Sequence, residues 1–518
     1  MKKAIKYLLI LLILLIGGVF IYINSLKPKL SGQIDLKDIS SPTTAYIDSY
    51  GIPHIYANNT IDAMTSLGYL HAQDRLWQME LMKRIAPGNL SEILGEKLIE
   101  TDAFFKTLSI DEATEIAISK LDKNGLAYKE AMAYLKGVNQ FIDEGATPIE
   151  FTLAGVKKEH FTLKDMYSVF GYMAFSFAQA QKTDPLLTNI KQQLGATYLV
   201  DLDINPNTNG TTIKSNSTIP ESVLTAITQN INTISETLPI PPFIGSNSWV
   251  VSPSKTKSGN VIFANDPHIA YAQPSVWYEA HINTPDYEIY GYFIAGVPFP
   301  LLGHNRDLAY GMTMFENDDI DFYREENHPT DSTLYKTATG YKKYKYTTKQ
   351  IKVKDKDPID LVVKSSYHGP IMNSVQNEIE EDNPIAIQWI YTKLENKTLD
   401  ALYKISHAKN MQDVKEGTAL IHAPGLNIMY GDAKGNVAWW ASAKLYTHKA
   451  HVNSKFILNG ANGEDDIVDY LDFSHNPMAQ NPDYGYVYSA NNQPDSVANK
   501  LYPVIIYLKI VPNVLYNY

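Results

Sequence analysis

Gly245-Ser246-Asn247-Ser248-Trp249-Val250-Val251 is the stretch on which the reading of this 518-residue chain turns. Trp249-Val250-Val251 and Val261-Ile262-Phe263 are short β-branched and aromatic runs. Between them lies Lys257-Ser258-Gly259-Asn260, a turn-forming tetrapeptide, so the pattern predicts a β-hairpin. Taken alone, Ser246 is a hairpin-opening serine in a Gly-Ser-Asn turn. The stretch before it differs in composition. Residues 205–245 are rich in Asn, Thr, Ser, Ile and Pro, including Pro239, Pro241 and Pro242. Both ends of this stretch read as loop, while Ser222 to Leu238 carries a helix-compatible pattern. We take 205–245 as a linker between two differently built halves.

Downstream the pattern is strand-rich, with alternation through Tyr287–Ile294 and Ile351–Val363. Upstream, short strands mix with helices. Ala45-Tyr46-Ile47, the Ser49-Tyr50-Gly51 turn and His54-Ile55-Tyr56 predict a hairpin. Thr60 is the expected N-cap of a helix carrying Met64, Leu67, Leu70, Trp77 and Leu81 at helical spacing. Glu80 and Arg84 form an i,i+4 ion pair on it, with no catalytic role. A second helix is expected over Asp165–Gln181. The fold class is α+β.

The formal net charge is −11, and no basic stripe stands out, which argues against a nucleic-acid partner. The chain has no cysteine, so disulfides, thiolate catalysis and Cys-ligated zinc are excluded. Lys2, Lys3 and Lys6 precede an apolar run from Tyr7 to Ile23. A bilayer needs roughly 17–25 such residues. No small-x-small cleavage site follows, the flank being Tyr22-Ile23-Asn24-Ser25-Leu26. Residues 1–29 are therefore read as an uncleaved signal anchor in the cell membrane, with the body outside the cytoplasm. The rival is a removed signal peptide and a secreted body. Both export the rest of the chain.

Two separated blocks resemble the penicillin acylase family of N-terminal-nucleophile hydrolases. Tyr50-Gly51-Ile52-Pro53-His54-Ile55-Tyr56-Ala57, with Gly68-Tyr69-Leu70-His71-Ala72-Gln73-Asp74-Arg75-Leu76-Trp77-Gln78-Met79-Glu80, is similar to the opening of the family's α chain. Gly245-Ser246-Asn247-Ser248-Trp249-Val250-Val251 is similar to the start of its β chain. Asn265-Asp266-Pro267-His268, Gly303-His304-Asn305, Asp318-Asp319-Ile320-Asp321, Leu426-Asn427-Ile428-Met429-Tyr430 and Ser489-Ala490-Asn491-Asn492 continue the match in order. The resemblance implies a four-layer αββα core and a precursor that cuts itself into α and β chains at Gly245–Ser246. The expected parts are then an α-chain-like region over 30–204, a spacer over 205–245 and a β-chain-like catalytic region over 246–518.

In that reading Ser246 is the nucleophile. Cleavage frees its α-amine, whose pKa of roughly 7.7–8.0 suits a base near neutral pH. Uncut, the same nitrogen is an amide and no base at all. The resemblance places His268 beside the nucleophile and gives Asn427 the role of oxyanion donor, aiming an NH₂ at the developing charge. A backbone N–H near Met314 or Phe315 is the second donor. Met173 and Phe177 become walls of the acyl pocket, with helix core as the alternative. Asp318, Asp321 and the Ile320 carbonyl are expected to hold one structural Ca²⁺, whose hard-oxygen preference they suit, with Asp184 as candidate α-chain ligand. The alternative is a solvated acidic turn.

Two departures stand out. The family's Pro-x-Arg is absent from Lys444-Leu445-Tyr446-Thr447-His448-Lys449. After Ala490-Asn491-Asn492-Gln493-Pro494 the tail does not resemble the family's continuation, so a C-terminally truncated form is expected. Three functions follow as expectations. One is an amidase on small acylated molecules such as β-lactam side chains or N-acyl homoserine lactones. Another is an amidase for a lipid-derived or envelope amide. The last is an uncleaved, membrane-tethered remnant without catalysis.

Overall fold

The apolar stripe after residue 60 folds as predicted. In this computed structural model, which describes residues 2–178, 180–201, 219–240, 242–315, 317–375 and 384–491, the helix α2 runs over Thr60–Ile85, following α1 at Lys2–Ser25. The N-cap of α2 is Asn59, one residue before the expected Thr60, and its side chain accepts from the Asp62 N–H. An amide oxygen caps as well as a hydroxyl, and both residues offered one. Helix α3, Leu126–Glu144, crosses α2 closely. The crossing requires glycine on both sides: a Cβ on Gly68 would lie 2.0 Å from the Tyr134 carbonyl oxygen, and one on Gly137 would lie 1.8 Å from that of Thr65. The ion pair Arg84–Glu80 forms at 2.6 Å and is buried rather than superficial.

The helix expected over Asp165–Gln181 is two helices. α4, Leu163–Phe177, opens with a Thr162–Asp165 capping box, and α5, Ala180–Leu194, follows. The linker is more than a tether. Its helix α6, Glu221–Thr237, buries Val223, Leu224, Ile227, Ile231 and Ile234 in the main core. That spacing is one helical stripe, and each such burial contributes about 1.5–3 kcal/mol. Residues 202–218, which include the first part of the linker, and the tail 492–518 lie outside the described residues.

Thirteen strands position the site. They are β1 Thr44–Ile47, β2 Pro53–Tyr56, β3 Phe243–Val251, β4 Ile262–Ile269, β5 Trp277–Asn283, β6 Glu288–Ile294, β7 Leu302–His304, β8 Leu308–Met314, β9 Ile320–Arg324, β10 Leu426–Asp432, β11 Val437–Ser442, β12 Met478–Gln480 and β13 Tyr486–Ser489. A nine-stranded sheet has the order β1-β2-β5-β6-β7-β8-β10-β11-β12. The predicted β1–β2 hairpin is present, and β2 joins β5 in parallel. The two halves separated by the linker therefore share one sheet. The predicted β3–β4 hairpin is also present, in a second sheet ordered β13-β3-β4.

One face of the large sheet packs on the helices through residues such as Ile282, Ile289, Phe293 and Tyr430. Its other face meets the small sheet through Val250, Met429, Val437 and Val487. Alternation along β10 explains both contacts: Ile428 and Tyr430 face the helices, and Met429 the second sheet. The order is thus helices, large sheet, small sheet. Of the four layers expected, these three are built by the described residues. The outer face of the small sheet exposes Trp249, Ile262, Tyr486 and Tyr488.

Candidate active site

Ser246 sits inside β3, which runs through the Gly245–Ser246 bond without a break, opposite Pro267 on β4. Strand alternation turns its side chain inward, and it is 3% exposed. Its backbone N–H donates to Asn491 Oδ1 at 2.7 Å. Its Oγ accepts from two donors, the Met314 N–H at 3.0 Å and Asn491 Nδ2 at 3.3 Å. Of the two backbone donors left open by the sequence, the structure places Met314 on the serine.

Asn491 is the Ser246 partner that the sequence reading did not single out, although its block was noted. It follows β13, whose Ser489 pairs with Ser248 of β3, so sheet formation carries it to the serine from 245 residues away. Its φ is 59°, in the left-handed region that asparagine tolerates better than most residues. The only local signal was an Asn-Asn step after a strand.

Asn427 sits one step back from the serine. Its Nδ2 donates to the Met314 carbonyl at 2.8 Å and also lies 3.2 Å from the Thr313 and Ser489 hydroxyls. Its Oδ1 accepts from Trp439 Nε1 at 2.8 Å. The asparagine that contacts Ser246 directly is Asn491. β10 pairs Asn427 with Thr313, so its amide reaches the Met314 peptide rather than Ser246.

His268 pairs with Gly245, not with Ser246, and so projects from the opposite face of the sheet. There its Nε2 lies 3.0 Å from Asp266 Oδ2 and 3.4 Å from Asn247 Nδ2. Phe177 lines a cavity at Ser246 together with Trp277, Leu301, Met312 and Leu426. The cavity holds about 10 Å³, room for roughly one water. Met173, one turn earlier on α4, is buried in the helix core and does not line it.

The acidic block forms a separate buried pocket. Asp184 on α5, Asp318, Asp319 and Asp321 are each at most 7% exposed. Ser454 donates to Asp318 at 2.6 Å, Tyr446 to Asp321 at 2.9 Å and Trp389 to Asp319 at 3.3 Å. Each of the four carboxylates still has one oxygen without a hydrogen-bond partner. Burial, and then the charges of Asp318 and Asp321, push the Asp184 carboxyl well above its usual range. Burial and Asp321 do the same to Asp318, and burial pushes Asp319 up to about 7. Ile320 is buried at the start of β9, opposite Trp389. The segment where an arginine was sought instead puts Tyr446 and His448 against Asp321. Among the described residues no three acidic or imidazole side chains are drawn into ligating geometry.

Comparison with known proteins matches this chain to one family. The penicillin amidase family model covers residues 42–513. The acyl-homoserine lactone acylase QuiP of Pseudomonas aeruginosa is 28% identical over 491 residues, 91% of this chain and 57% of that protein. The penicillin acylase 2 proenzyme of a Pseudomonas species is 25% identical, over 90% of this chain and 60% of its own length. Penicillin G acylase of Escherichia coli is 25% identical, over 86% and 59%. The chain thus spans under two thirds of the length of these relatives. Among solved structures, the thermostable penicillin G acylase of Alcaligenes faecalis aligns at 21% identity with a TM-score of 0.46, over 50% of this chain and 45% of its own. The chain belongs to the penicillin amidase family.

Proposed function

We propose that the chain is the precursor of a penicillin acylase-like amidohydrolase, cut at Gly245–Ser246 to give α and β chains. Its substrate is a linear carboxamide with an apolar acyl group, such as an N-acyl homoserine lactone or an acylated β-lactam. The observation that carries this reading is the convergence of two N–H donors, from Met314 and Asn491, on the oxygen of a buried serine.

In the uncut chain the Ser246 nitrogen is an amide, occupied as a donor to Asn491. Cleavage turns it into an amine, able to take the hydroxyl proton as Oγ attacks the substrate carbonyl. The carbonyl oxygen then carries the negative charge, and the donors beside Oγ stabilise it. The amine returns the proton to the leaving nitrogen, the C–N bond breaks, and water releases the acid from the Ser246 ester. Phe177, Trp277, Leu301 and Leu426 face the acyl chain and must part to admit it, because the cavity at Ser246 has room for about one water. Asn427 is a positioning residue: it holds the Met314 carbonyl, and with it the neighbouring backbone. His268 is assigned no proton transfer.

The acidic pocket suits one Ca²⁺. Its donors are hard oxygens, and three of them, on Asp184, Asp318 and Asp321, are buried without partners. With the Ile320 carbonyl they would hold the ion between α5 and the segment leading into β9. A bound Ca²⁺ supplies charge balance that ties the two chains together and does not touch the substrate. The N-terminal helix Lys3–Ser25 is long and apolar enough to cross a membrane, and we assign it as an anchor with the body extracytoplasmic.

The test is the intact mass of the expressed chain and the N-terminal sequence of each fragment. Two fragments are expected, one beginning Ser246-Asn247-Ser248, with an N-acyl homoserine lactone then hydrolysed. A single uncut chain without hydrolysis overturns the reading in favour of a remnant without catalysis.

A further inference from the structure

A second and much larger cavity, about 940 Å³, lies away from Ser246. Its volume falls near the top of the range for small-molecule sites, roughly 300–1,000 Å³. One wall is the segment leaving the apolar N-terminal helix, Ile23 to Lys29. The opposite wall is the face of α2 carrying Arg75, Trp77 and Leu81, and Pro239-Ile240 and Gln273-Pro274 close the end. The lining is therefore apolar along much of its length and charged in one region.

That charged region is unbalanced. Lys27, Lys29 and Arg75 face it, against Asp74 and Glu150. Asp74 is already engaged, accepting from the Tyr278 hydroxyl at 3.0 Å. Arg75 is satisfied only in part, its Nη1 donating to the Asp74 backbone carbonyl at 3.2 Å. Its guanidinium lies 5.3 Å over the Tyr278 ring, and its Nε is buried with no hydrogen-bond partner. Among the described residues no carboxylate lies within ion-pair distance of it. A planar cation that lines the cavity without a carboxylate partner, at the charged end of an apolar slot, matches a carboxylate head on an aliphatic chain.

We propose that this cavity binds a single-chain fatty carboxylate, with its head on Arg75 and its chain along Trp77, Leu81 and Ile240. The first residues after a helix able to cross a membrane form one side, so such a ligand enters from the bilayer surface. The site does not use Ser246, and it stands whether or not the amidase reading holds.

The test uses the full chain carrying Ser246→Ala, in phosphatidylcholine nanodiscs, titrated with cis-parinaric acid and read by its fluorescence against empty discs. Saturable binding at one site per chain is expected. Arg75→Gln should weaken it at least tenfold and Arg75→Lys less, while Trp77→Phe should reduce energy transfer to the probe. The methyl ester of the same probe, which lacks the carboxylate charge, should bind the unchanged chain at least tenfold more weakly. That arm decides even if Arg75→Gln fails to fold. A signal no greater than that of empty discs, or acid and ester binding alike, overturns the proposal.

Discussion

The serine site and the acidic pocket are both buried and polar, yet they are finished to different degrees. Around Ser246 the side chains of Thr313, Asn427, Ser489 and Asn491 form a closed network, with Trp439 behind it. None of these side chains leaves a buried polar atom unpartnered. Around Asp318, four carboxylates crowd together and each leaves an oxygen without a partner. A buried polar group that finds no partner costs about 1–3 kcal/mol, and more if charged. The first region is complete as a protein structure. The second becomes so only with a cation, or with protons in its place. Damage to the first should therefore show in processing and turnover, and damage to the second in stability.

The largest effect belongs to the reacting atom. Ser246→Ala should abolish cleavage at Gly245–Ser246 and all hydrolysis, while the thermal midpoint stays close to that of the uncut parent. Fragments that still appear in this variant would break the assignment. Next comes Asn491→Ala. It removes one of two donors to Ser246 Oγ and the acceptor of its N–H. If Asn491 also donates to the developing oxyanion as proposed, its loss should cost about 10²–10³ in kcat. Single-turnover hydrolysis by chain that has matured before assay would separate this from slowed processing.

The acidic pocket predicts a contrast in stability. Removing Ca²⁺ with a chelator should lower the thermal midpoint. Ca²⁺ at a hundredfold over its Kd should return about 2.7 kcal/mol of stability. Asp184→Asn should behave in the opposite sense to a network residue. In the metal-free chain it relieves repulsion from Asp318 and Asp321, so the midpoint rises, while the response to Ca²⁺ is lost. A midpoint indifferent to both chelator and Ca²⁺ would mean that protons alone balance these carboxylates.

How much of this was legible in the sequence depended on distance along the chain. Local patterns worked: the β1–β2 hairpin, the β3–β4 hairpin and the amphipathic stripe of α2 each depend on residues a few positions apart. The caps and breaks were less sharp, because Asn59 and Thr60 offer equivalent oxygens and nothing in Met173 to Gln181 announces the break after Phe177. The linker's core-facing stripe, Val223 to Ile234, was visible as a helical pattern, but its partner surface was not. The two asparagines show where local reading stops. Both stand in recognisable blocks, and only the pairing of β13 with β3 and of β10 with β8 decides which one touches Ser246. His268 shows the same limit at shorter range. A one-residue offset in the β3–β4 register decides its face.

The smallest effect expected is the one that best separates contact from positioning. Trp439 touches no reacting atom, but its indole N–H donates to Asn427 Oδ1 and so fixes which end of that amide faces the Met314 carbonyl. Trp439→Phe keeps an aromatic ring and removes the donor. The Asn427 amide is then free to turn, and an oxygen turned toward the Met314 carbonyl would repel it and shift Met314, whose own N–H, in the preceding peptide, donates to Ser246 Oγ. The acyl pocket is untouched, so KM should hold while kcat falls several-fold, less than for Asn491→Ala. A parallel fall in kcat and rise in KM would instead mean that the indole shapes the pocket. An unchanged kcat would mean that Asn491 alone holds the Met314 peptide in place, through its own 3.0 Å hydrogen bond to the same carbonyl.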